Sequence, residues 1–345
     1  MKILLHWFAT DAEIARIRSV LPKDGEILTP KPRAFLSRYE VEYDDVSELA
    51  SEADVIMGWT IPPGILERAK NLKALIYFHA GIDDLDIEQL KHRKIEISNC
   101  RGANSVAVAE YAMALMLGIA KRVLPNHQDV IDAHWEPPGE QGRQERRGAM
   151  LSNKTVAIIG FGQIGTAIAT RAKGFNMKVI AVRKHPERGA EGIADAVFGT
   201  DELLTVLNLA DYTILAMPIT SETRAIIDQD AINAMKPTSF LINIARGNLI
   251  KELPLYEALK NWRISGFATD CWWNYEKSNP GTYHFPVPSR TNLQRLPNVL
   301  GAGSQAGAGV WEIKNDYLQE YGVEALSAFV QGKSMPRKVN LKLEY

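Results

Sequence analysis

An arginine follows directly on an apolar, β-branched run in the segment SFLINIARGNLI, residues 239–250, and Gly247 comes next. The guanidinium of Arg246 cannot be neutralised at ordinary pH, and removing it from water without a partner costs several kcal/mol. Its planar fork matches the paired oxygens of a carboxylate. Arg246 at the end of a predicted strand therefore faces either a structural counter-charge or an anionic ligand.

A glycine-rich turn lies upstream in VAIIGFGQIGTAIATRA, residues 156–172. Gly160, Gly162 and Gly165 form G-x-G-x-x-G directly after a predicted strand and at the start of a predicted helix. The first glycine permits the tight turn, the second lets the backbone approach a pyrophosphate, and the third lets the helix pack on the strand. This context predicts a bound dinucleotide, although such a turn also binds S-adenosylmethionine or closes a loop without any ligand.

The next predicted strand, in MKVIAVRKHPE, indicates which dinucleotide is preferred. An acidic residue about 20 positions past the glycines would hold the ribose 2′-hydroxyl of NAD, whereas an arginine accommodates the 2′-phosphate of NADP. Arg183 and Lys184 occupy this place, and no acidic residue follows before Glu187. We therefore expect NADP, with NAD less favoured; the alternative is that the two cations are merely solvated strand-end charges.

The length, composition and net charge of the chain indicate the class of protein. Its 345 residues favour two domains, and 46% hydrophobic and 23% charged residues with a net charge of -1 give no sign of a nucleic-acid partner. Cys100 and Cys271 lie far apart and without metal-ligand spacing, so we expect reduced thiols, a cytoplasmic protein and no metal. The segment MKILLHWFATDAE predicts a first strand, and the apolar window Val106–Ala120 predicts a buried helix, not a membrane span.

Short apolar runs alternate with helix-length segments along the chain. Nine of these runs predict strands: KILLHWF, ADVIMGW, LKALIYF, KIEISNC, TVAIIGFG, KVIAVR, ADYTILAMP, SFLINIARG and ISGFATD. Strands separated in this way are typical of parallel sheets built from βαβ units. The sequence therefore predicts an α/β protein.

Six segments carry a resemblance to a known family: SVAVAEYAMALMLGIAKR, VAIIGFGQIG, LAMPITSETRAIID, AMKPTSFLINIARGNLI, ISGFATD and LPNVLGAG. In this order and spacing they resemble the D-isomer-specific 2-hydroxyacid dehydrogenases over nearly the whole chain. The resemblance implies two doubly wound parallel-sheet domains, with a Rossmann nucleotide-binding domain, residues 104–304, inserted in a flavodoxin-like substrate domain, residues 1–103 and 305–345. It places the active site in the cleft between them.

The resemblance also implies roles for individual residues. Arg246 would orient the substrate's carboxylate and carbonyl oxygen, and the backbone of His79, Ala80 and Gly81 would bind the carboxylate, with His79 standing where relatives have glycine. The implied cofactor-binding residues are Gly160, Gly162, Gln163, Ile164, Gly165, Arg183, Lys184, Met217, Pro218, Thr223, Ile244, Ala245 and Asp270.

The family's proton-handling pair, a histidine oriented by a glutamate, is altered here. Counting from Arg246 puts Tyr275 at the glutamate position, with Glu276 adjacent, and puts Gly303 and Ser304 where the family has Pro-His. A serine hydroxyl can hydrogen-bond a carbonyl but titrates too high to replace imidazole. Glu276 and Ser304 thus join Arg246 as candidate catalytic residues, and other replacements for the histidine are His79, Tyr275 and His284.

A long aromatic segment occupies residues 270–298. It either shapes a pocket for a bulky substrate or is an interface or a packed surface loop. We expect an NADP(H)-dependent oxidoreductase that interconverts a 2-oxo acid and a D-2-hydroxy acid, and the resemblance implies a homodimer through residues 104–150. Because the family histidine is missing, a dinucleotide-binding regulatory protein of corepressor type stays open.

Overall fold

The structure, a computed structural model, describes residues 1–31, 38–39, 41–134, 148–190, 192–273, 276–279, 282–284, 288–304, 306–307 and 321–345. Residues 276–279 and 282–284 are described by their backbone alone. The chain divides into two compact units. The first comprises Met1–Ala103 and the described parts of Tyr275–Pro286 and Trp311–Tyr345, and the second comprises the described parts of Asn104–Asn274 and Val287–Val310.

The strands in chain order are β1 Lys2–His6, β2 Glu26–Leu28, β3 Val55–Gly58, β4 Ala74–Tyr77, β5 Glu96–Asn99, β6 Thr155–Ile159, β7 Lys178–Val182, β8 Ala196–Phe198, β9 Tyr212–Leu215, β10 Phe240–Asn243, β11 Gly266–Thr269, β12 Glu276–Asn279, β13 Thr282–His284 and β14 Val299–Gly301. The helices are α1 Asp11–Arg18, α2 Tyr43–Ala50, α3 Ile65–Arg68, α4 Ile87–His92, α5 Ser105–Ala120, α6 Val123–Ile131, α7 Gln163–Gly174, α8 Leu203–Leu209, α9 Gln229–Ala234, α10 Glu252–Lys260 and α11 Val323–Val330.

The first unit is built on a five-stranded parallel sheet in the order β2-β1-β3-β4-β5. This is the doubly wound order of flavodoxin-like domains. Strands β3 and β4 are buried along their whole length, as apolar runs covered on both faces must be. A core cluster around Leu4, Ile56 and Leu75 packs one face of the sheet.

The second unit is built on a seven-stranded parallel sheet in the order β14-β11-β10-β9-β6-β7-β8. Its first six strands in chain order follow the Rossmann arrangement, and β14 adds a seventh. Helix α5 packs against α7 and against strands β10, β11 and β14. The predicted α/β fold with two doubly wound parallel sheets is therefore confirmed.

The nine predicted strands all form, as β1, β3, β4, β5, β6, β7, β9, β10 and β11. The predicted buried helix is α5, with Val108, Ala112 and Met116 among its buried residues. Within the part of the chain that the structure describes, no helix is long and apolar enough to cross a membrane.

The buried His6 side chain predicts a dependence of the first unit's stability on pH. The side chain lies at the end of β1, is 1% exposed and packs beside Gly58 of the neighbouring strand. Burial lowers the pKa of His6 from its ordinary value of 6.5 to about 4. The folded protein therefore holds a neutral imidazole at a pH where the unfolded chain binds a proton.

We expect the free energy of unfolding to fall as the pH is lowered from 6.5 towards 4, by roughly 3 kcal/mol for this group alone. Above pH 6.5 His6 is neutral in both the folded and the unfolded state, so it no longer changes the free energy of unfolding with pH. Urea unfolding of the unmodified protein and of His6→Leu across this range measures it as the difference between the two pH slopes. His92→Leu, at an exposed position, is the control; equal slopes for the His6 variant and the unmodified protein would contradict the assignment.

Candidate active site

The predicted site residues of the second unit gather at one edge of its sheet. Because the strands are parallel, their carboxyl ends lie on the same side, and the loops that follow β6, β7, β9, β10, β11 and β14 carry these residues. Strand β6 pairs with β7 on one side and β9 on the other, so the strand order reverses there. Open α/β sheets bind their ligands at such a switch point.

The glycine turn after β6 has the geometry of a dinucleotide cradle. Gly160 has a φ of +105°, and a Cβ there would lie 2.6 Å from the Met217 nitrogen. A Cβ on Gly165 would lie 2.3 Å from the Gly160 carbonyl oxygen, so helix and strand can approach only without a side chain. At Gly162 a Cβ would meet nothing within 4 Å, which leaves open space where a pyrophosphate would lie.

Helix α7 starts directly at this space. Gly162 is its N-cap and provides no side-chain cap, and Gln163, Ile164 and Gly165 form the first turn. The first amides of a helix have no intrahelical acceptor, and the helix dipole favours an anion there. The residues at this helix start thus fit the pyrophosphate group of a dinucleotide.

Arg183 and Lys184 follow β7 and have different partners. The Arg183 amide donates to the Phe198 carbonyl at 3.1 Å, and its guanidinium donates to the Gly189 carbonyl at 3.2 Å. The Lys184 ammonium donates to the Glu222 carboxylate at 2.6 Å. Of the two cations, Lys184 has its charge paired with a carboxylate, and no sequence signal points to this pairing because Glu222 is 38 residues away.

The loop after β9 is closed by threonine hydroxyls. Thr223 Oγ1 donates to the Pro218 carbonyl at 2.8 Å and accepts from the Thr220 amide at 2.8 Å. Met217 lies against the glycine turn, as the close approach to Gly160 requires. The hydroxyl of Thr223 therefore shapes the loop that presents Met217 and Pro218.

Arg246 lies in the loop after β10, half-buried, in an extended conformation with φ -146° and ψ 140°. Its guanidinium donates to the Ala245 carbonyl at 2.9 Å. Ile244 and Ala245 connect the strand to it, and Asn243 at the strand end hydrogen-bonds the main chain of the loop. Asn243 was not predicted from the sequence. The available signal is an asparagine at a strand end, because asparagine side chains often hydrogen-bond the backbone of the turn that follows.

Asp270 follows β11 and accepts hydrogen bonds from the loop after β14. Its carboxylate accepts from the Ala306 amide at 3.0 Å, and its carbonyl accepts from the Ser304 amide at 2.9 Å. Burial raises the pKa of Asp270, while the nearby positive charge of Arg246 opposes the rise. Arg246 and Asp270 are thus electrostatically coupled at the same edge of the sheet.

Ser304 is exposed and has a φ of +54°, a left-handed conformation that is uncommon for serine. At Gly303 a Cβ would meet nothing within 4 Å. Between Ala302 and Ser304 the chain carries no side chain with a pKa near neutrality.

The two tryptophans of the aromatic segment pack inside the second unit. Trp272 Nε1 donates to the Ala302 carbonyl at 2.8 Å, and Gly301 leaves room for the ring, since a Cβ there would lie 2.5 Å from it. Trp273 Nε1 donates to the Ile250 carbonyl at 2.8 Å. For these two rings packing is favoured over a role as pocket walls.

The first unit carries its own predicted loop after β4. The Ala80 carbonyl accepts from Asn99 Nδ2 at 2.7 Å, and the His79 carbonyl accepts from the Cys100 amide at 3.0 Å, so the chain leading into Gly81 is anchored to the end of β5. The His79 ring lies 5.2 Å from the Tyr77 ring. His79, Ala80 and Gly81 are all half-buried.

An aromatic cluster beside this loop was not predicted. Trp59 lies 4.6 Å from Phe78, 5.5 Å from Trp7 and 4.4 Å from Tyr39, measured between ring centroids. Trp7 and Phe78 are fully buried, whereas Trp59 and Tyr39 are half-buried. The signal in the sequence is an aromatic residue just past the end of each of three neighbouring strands, β1, β3 and β4.

Two of the predicted replacements for the family histidine, Glu276 and His284, lie in the hairpin of β12 and β13. Its antiparallel register sets Glu276 opposite His284. Tyr275 lies outside the described residues. The structure thus brings together, in backbone register, two of the residues proposed from sequence as proton donors.

Comparison with known proteins identifies the family of the chain. Residues 113–302 match the family model for the D-isomer specific 2-hydroxyacid dehydrogenase, NAD binding domain. A glyoxylate reductase of Pyrococcus furiosus is 30% identical over 87% of this chain and 86% of its own length, and a hydroxypyruvate reductase of Thermotoga maritima is 30% identical over 71% and 78%. Among solved structures, an acyclic imino acid reductase in complex with NADPH and D-Arg superposes with a TM-score of 0.76 at 25% identity, covering 99% of this chain and 100% of that one. The chain belongs to the D-isomer specific 2-hydroxyacid dehydrogenase family, and its second unit contains that family's NAD-binding domain.

Proposed function

We propose that this protein is an NADP(H)-dependent reductase that converts a 2-oxo acid to the D-2-hydroxy acid, and catalyses the reverse. Residues 104–304 bind the cofactor and contribute Arg246 and His284 to the reaction, and residues 1–103 and 305–345 form the substrate-binding domain. The observation that carries the proposal is the convergence of the glycine turn, Arg183 and Arg246 at one sheet edge. The names of the glyoxylate and hydroxypyruvate reductases among its relatives support the substrate class.

In this proposal the residues have distinct tasks. When bound, the nicotinamide supplies the hydride that reduces the carbonyl carbon. Arg246 orients the carboxylate and carbonyl oxygen of the acid and stabilises the negative charge that develops on that oxygen. The main chain of His79, Ala80 and Gly81 binds the carboxylate, and Met217, Pro218, Ile244 and Ala245 line the cofactor side.

The proton comes from His284, with Glu276 as its partner. The hairpin register pairs the backbone positions of the two residues, Glu276 opposite His284. An imidazole oriented by a carboxylate is the pair that the family uses, so the inserted hairpin would restore the chemistry that Ser304 cannot provide.

The cofactor preference should depend on Arg183 more than on Lys184. A guanidinium contact to the 2′-phosphate is worth about 1.5 to 3 kcal/mol, which is about 10- to 100-fold in Kd. Arg183→Asp removes this contact and adds a like charge, so NADPH binding should weaken and NADH become preferred. Fluorescence titration of both cofactors measures the two dissociation constants.

Lys184→Ala is the matched comparison. Because Glu222 already neutralises Lys184 at 2.6 Å, its loss should change the ratio of the two dissociation constants less than Arg183→Asp does. Equal affinity of the unmodified protein for NADPH and NADH would contradict the NADP preference.

A second candidate substrate class is a 2-imino acid. Reduction of a ketone needs hydride and a proton on oxygen, whereas a protonated imine becomes the amine on receiving hydride alone. The segment from Ala302 to Ser304 has no acid, which suits a substrate that already carries its proton. The imino acid reductase among the similar structures favours the same class.

A panel of 2-oxo acids, including glyoxylate, hydroxypyruvate, pyruvate and phenylpyruvate, tests the proposal. Each is offered with NADPH, with and without ammonium, and nicotinamide absorbance is followed. Oxidation of NADPH without ammonium supports the 2-oxo acid reductase, and oxidation only with ammonium supports the imine class. NADPH binding without turnover on any compound would favour a dinucleotide-binding regulatory protein.

The proposal includes a cytoplasmic homodimer. Helix α6 has no buried residue, and its Val123, Leu124, Val130 and Ile131 are all more than half exposed in the single chain. An apolar helix face of this kind suits a second copy of the chain. Sedimentation equilibrium should give twice the mass of 38.4 kDa, and a monomer would contradict it.

A further inference from the structure

Asn243 ends β10 and is fully buried, although it is polar. Its side chain makes two hydrogen bonds to the loop that it precedes: Nδ2 donates to the Arg246 carbonyl at 2.9 Å, and Oδ1 accepts from the Ala245 amide at 3.0 Å. One amide group therefore fixes the main chain on both sides of the Ala245–Arg246 peptide.

The backbone of Asn243 is itself fixed from the adjacent strand. Its carbonyl accepts from Thr269 Oγ1 at 2.9 Å and from Cys271 Sγ at 3.3 Å. Gly247 lies so close to this loop that a Cβ would be 2.3 Å from the Trp272 carbonyl oxygen. The residues before and after Arg246 are thus fixed by contacts with the loop that follows β11.

We propose that Asn243 is a positioning residue that sets the direction in which Arg246 leaves the sheet edge. It does not touch the substrate in this account and acts through the main chain of Arg246. The inference rests on the proposed function, in which Arg246 orients the 2-oxo acid. A guanidinium that aligns two reacting oxygens is sensitive to small displacements of its backbone.

Asn243→Asp tests this with almost no change of shape. One carboxyl oxygen can still accept from the Ala245 amide, while the other replaces the donor to the Arg246 carbonyl. When ionised it repels that carbonyl, and when protonated it can donate to it. Burial raises the pKa of a carboxyl, so we expect its titration to fall in an accessible range.

The expected result is a kcat/KM for the 2-oxo acid about 10- to 100-fold below that of the unmodified protein at neutral pH, recovering as the pH is lowered. Among the residues that the structure describes, the charged and titratable groups facing the introduced carboxyl are Arg246, Asp270 and Cys271 on the two adjoining loops, and Tyr111 on α5, whose pKa the charge of Asp270 helps to raise. All of them are present in both proteins, so the ratio of the two pH profiles isolates the new carboxyl. The Kd of NADPH should stay within about threefold.

Asn298→Asp is the matched control. Asn298 is also buried, and its Nδ2 donates to a main-chain carbonyl, that of Leu259, at 3.1 Å, with no link to Arg246. It should lower stability without introducing acid-recovered activity. A pH-independent ratio for Asn243→Asp, or the same profile in both variants, would overturn the inference.

If Asn243→Asp does not fold, Asn243→Ala, which adds no charge, takes its place. Its NADPH complex should bind oxamate, a 2-oxo acid analogue, about 10-fold more weakly, and unchanged oxamate affinity would overturn the inference. Absence of 2-oxo acid turnover in the unmodified protein overturns the proposed function together with this inference. Turnover with an unaffected Asn243 variant overturns the inference alone.

Discussion

Replacing Arg246 by lysine should lower kcat/KM for the 2-oxo acid by about 10²- to 10³-fold. The ammonium keeps the charge but loses the two parallel N–H groups that match the carboxylate and carbonyl oxygens. The Kd of NADPH should change little, because we assign nucleotide binding to the glycine turn and Arg183 and not to Arg246. Steady-state kinetics and a cofactor titration on the same preparation measure both effects.

Arg263→Lys provides the control for this substitution. Arg263 also lies in the second unit and donates to main-chain carbonyls, of Met235 at 3.0 Å and of Asn233, but it precedes β11 and is at the opposite edge of the sheet. Its replacement should affect stability and leave kcat/KM unchanged. Near-normal turnover of the Arg246 variant would mean that Arg246 is structural.

Replacing His284 by glutamine should lower kcat by about 10²- to 10⁴-fold, the usual loss for a positioned proton donor. The pH dependence that an imidazole gives to the reduction should disappear with it, because glutamine does not titrate. Glu276→Gln should shift the apparent pKa of the donor and reduce kcat less, since it removes the partner and keeps the imidazole. The pH profiles of kcat for the three proteins test this.

His79→Gln and His127→Gln complete the series. His127 is exposed on α6 and should have no effect. If His79→Gln, and not His284→Gln, removes the activity, the donor lies in the loop after β4. If neither lowers turnover, the hairpin pair does not supply the proton, and the imine class is favoured.

The sequence predicted the inner strands of both parallel sheets but missed three of their four edge strands. Strands β2, β8 and β14 have three residues each and lie at the outer positions of their sheets. A strand covered by neighbours on both sides must be a longer apolar run, whereas a short edge strand can be formed by almost any extended segment. Nothing in EIL, AVF or VLG separates them from loops.

The candidate site was likewise predictable from the sequence only in part. The glycine turn and Arg246 were recognisable because their chemistry demands particular residue types at fixed spacing. The pairing of Lys184 with Glu222, and of the Asp270 carboxylate with the Ala306 amide, joins loops that are distant in sequence. Such contacts depend on how the strand ends are brought together, which no local pattern encodes.

The fate of the transferred hydride tests the proposed reduction most directly. The protein is incubated with hydroxypyruvate and NADPH that carries deuterium at both C4 positions of the nicotinamide, and the product is examined by mass spectrometry and chiral chromatography. We expect D-glycerate with one deuterium at C2, formed at a rate that falls sharply in the Arg246→Lys variant. Oxidation of the cofactor without deuterium in the product, or a product of L configuration, would contradict it.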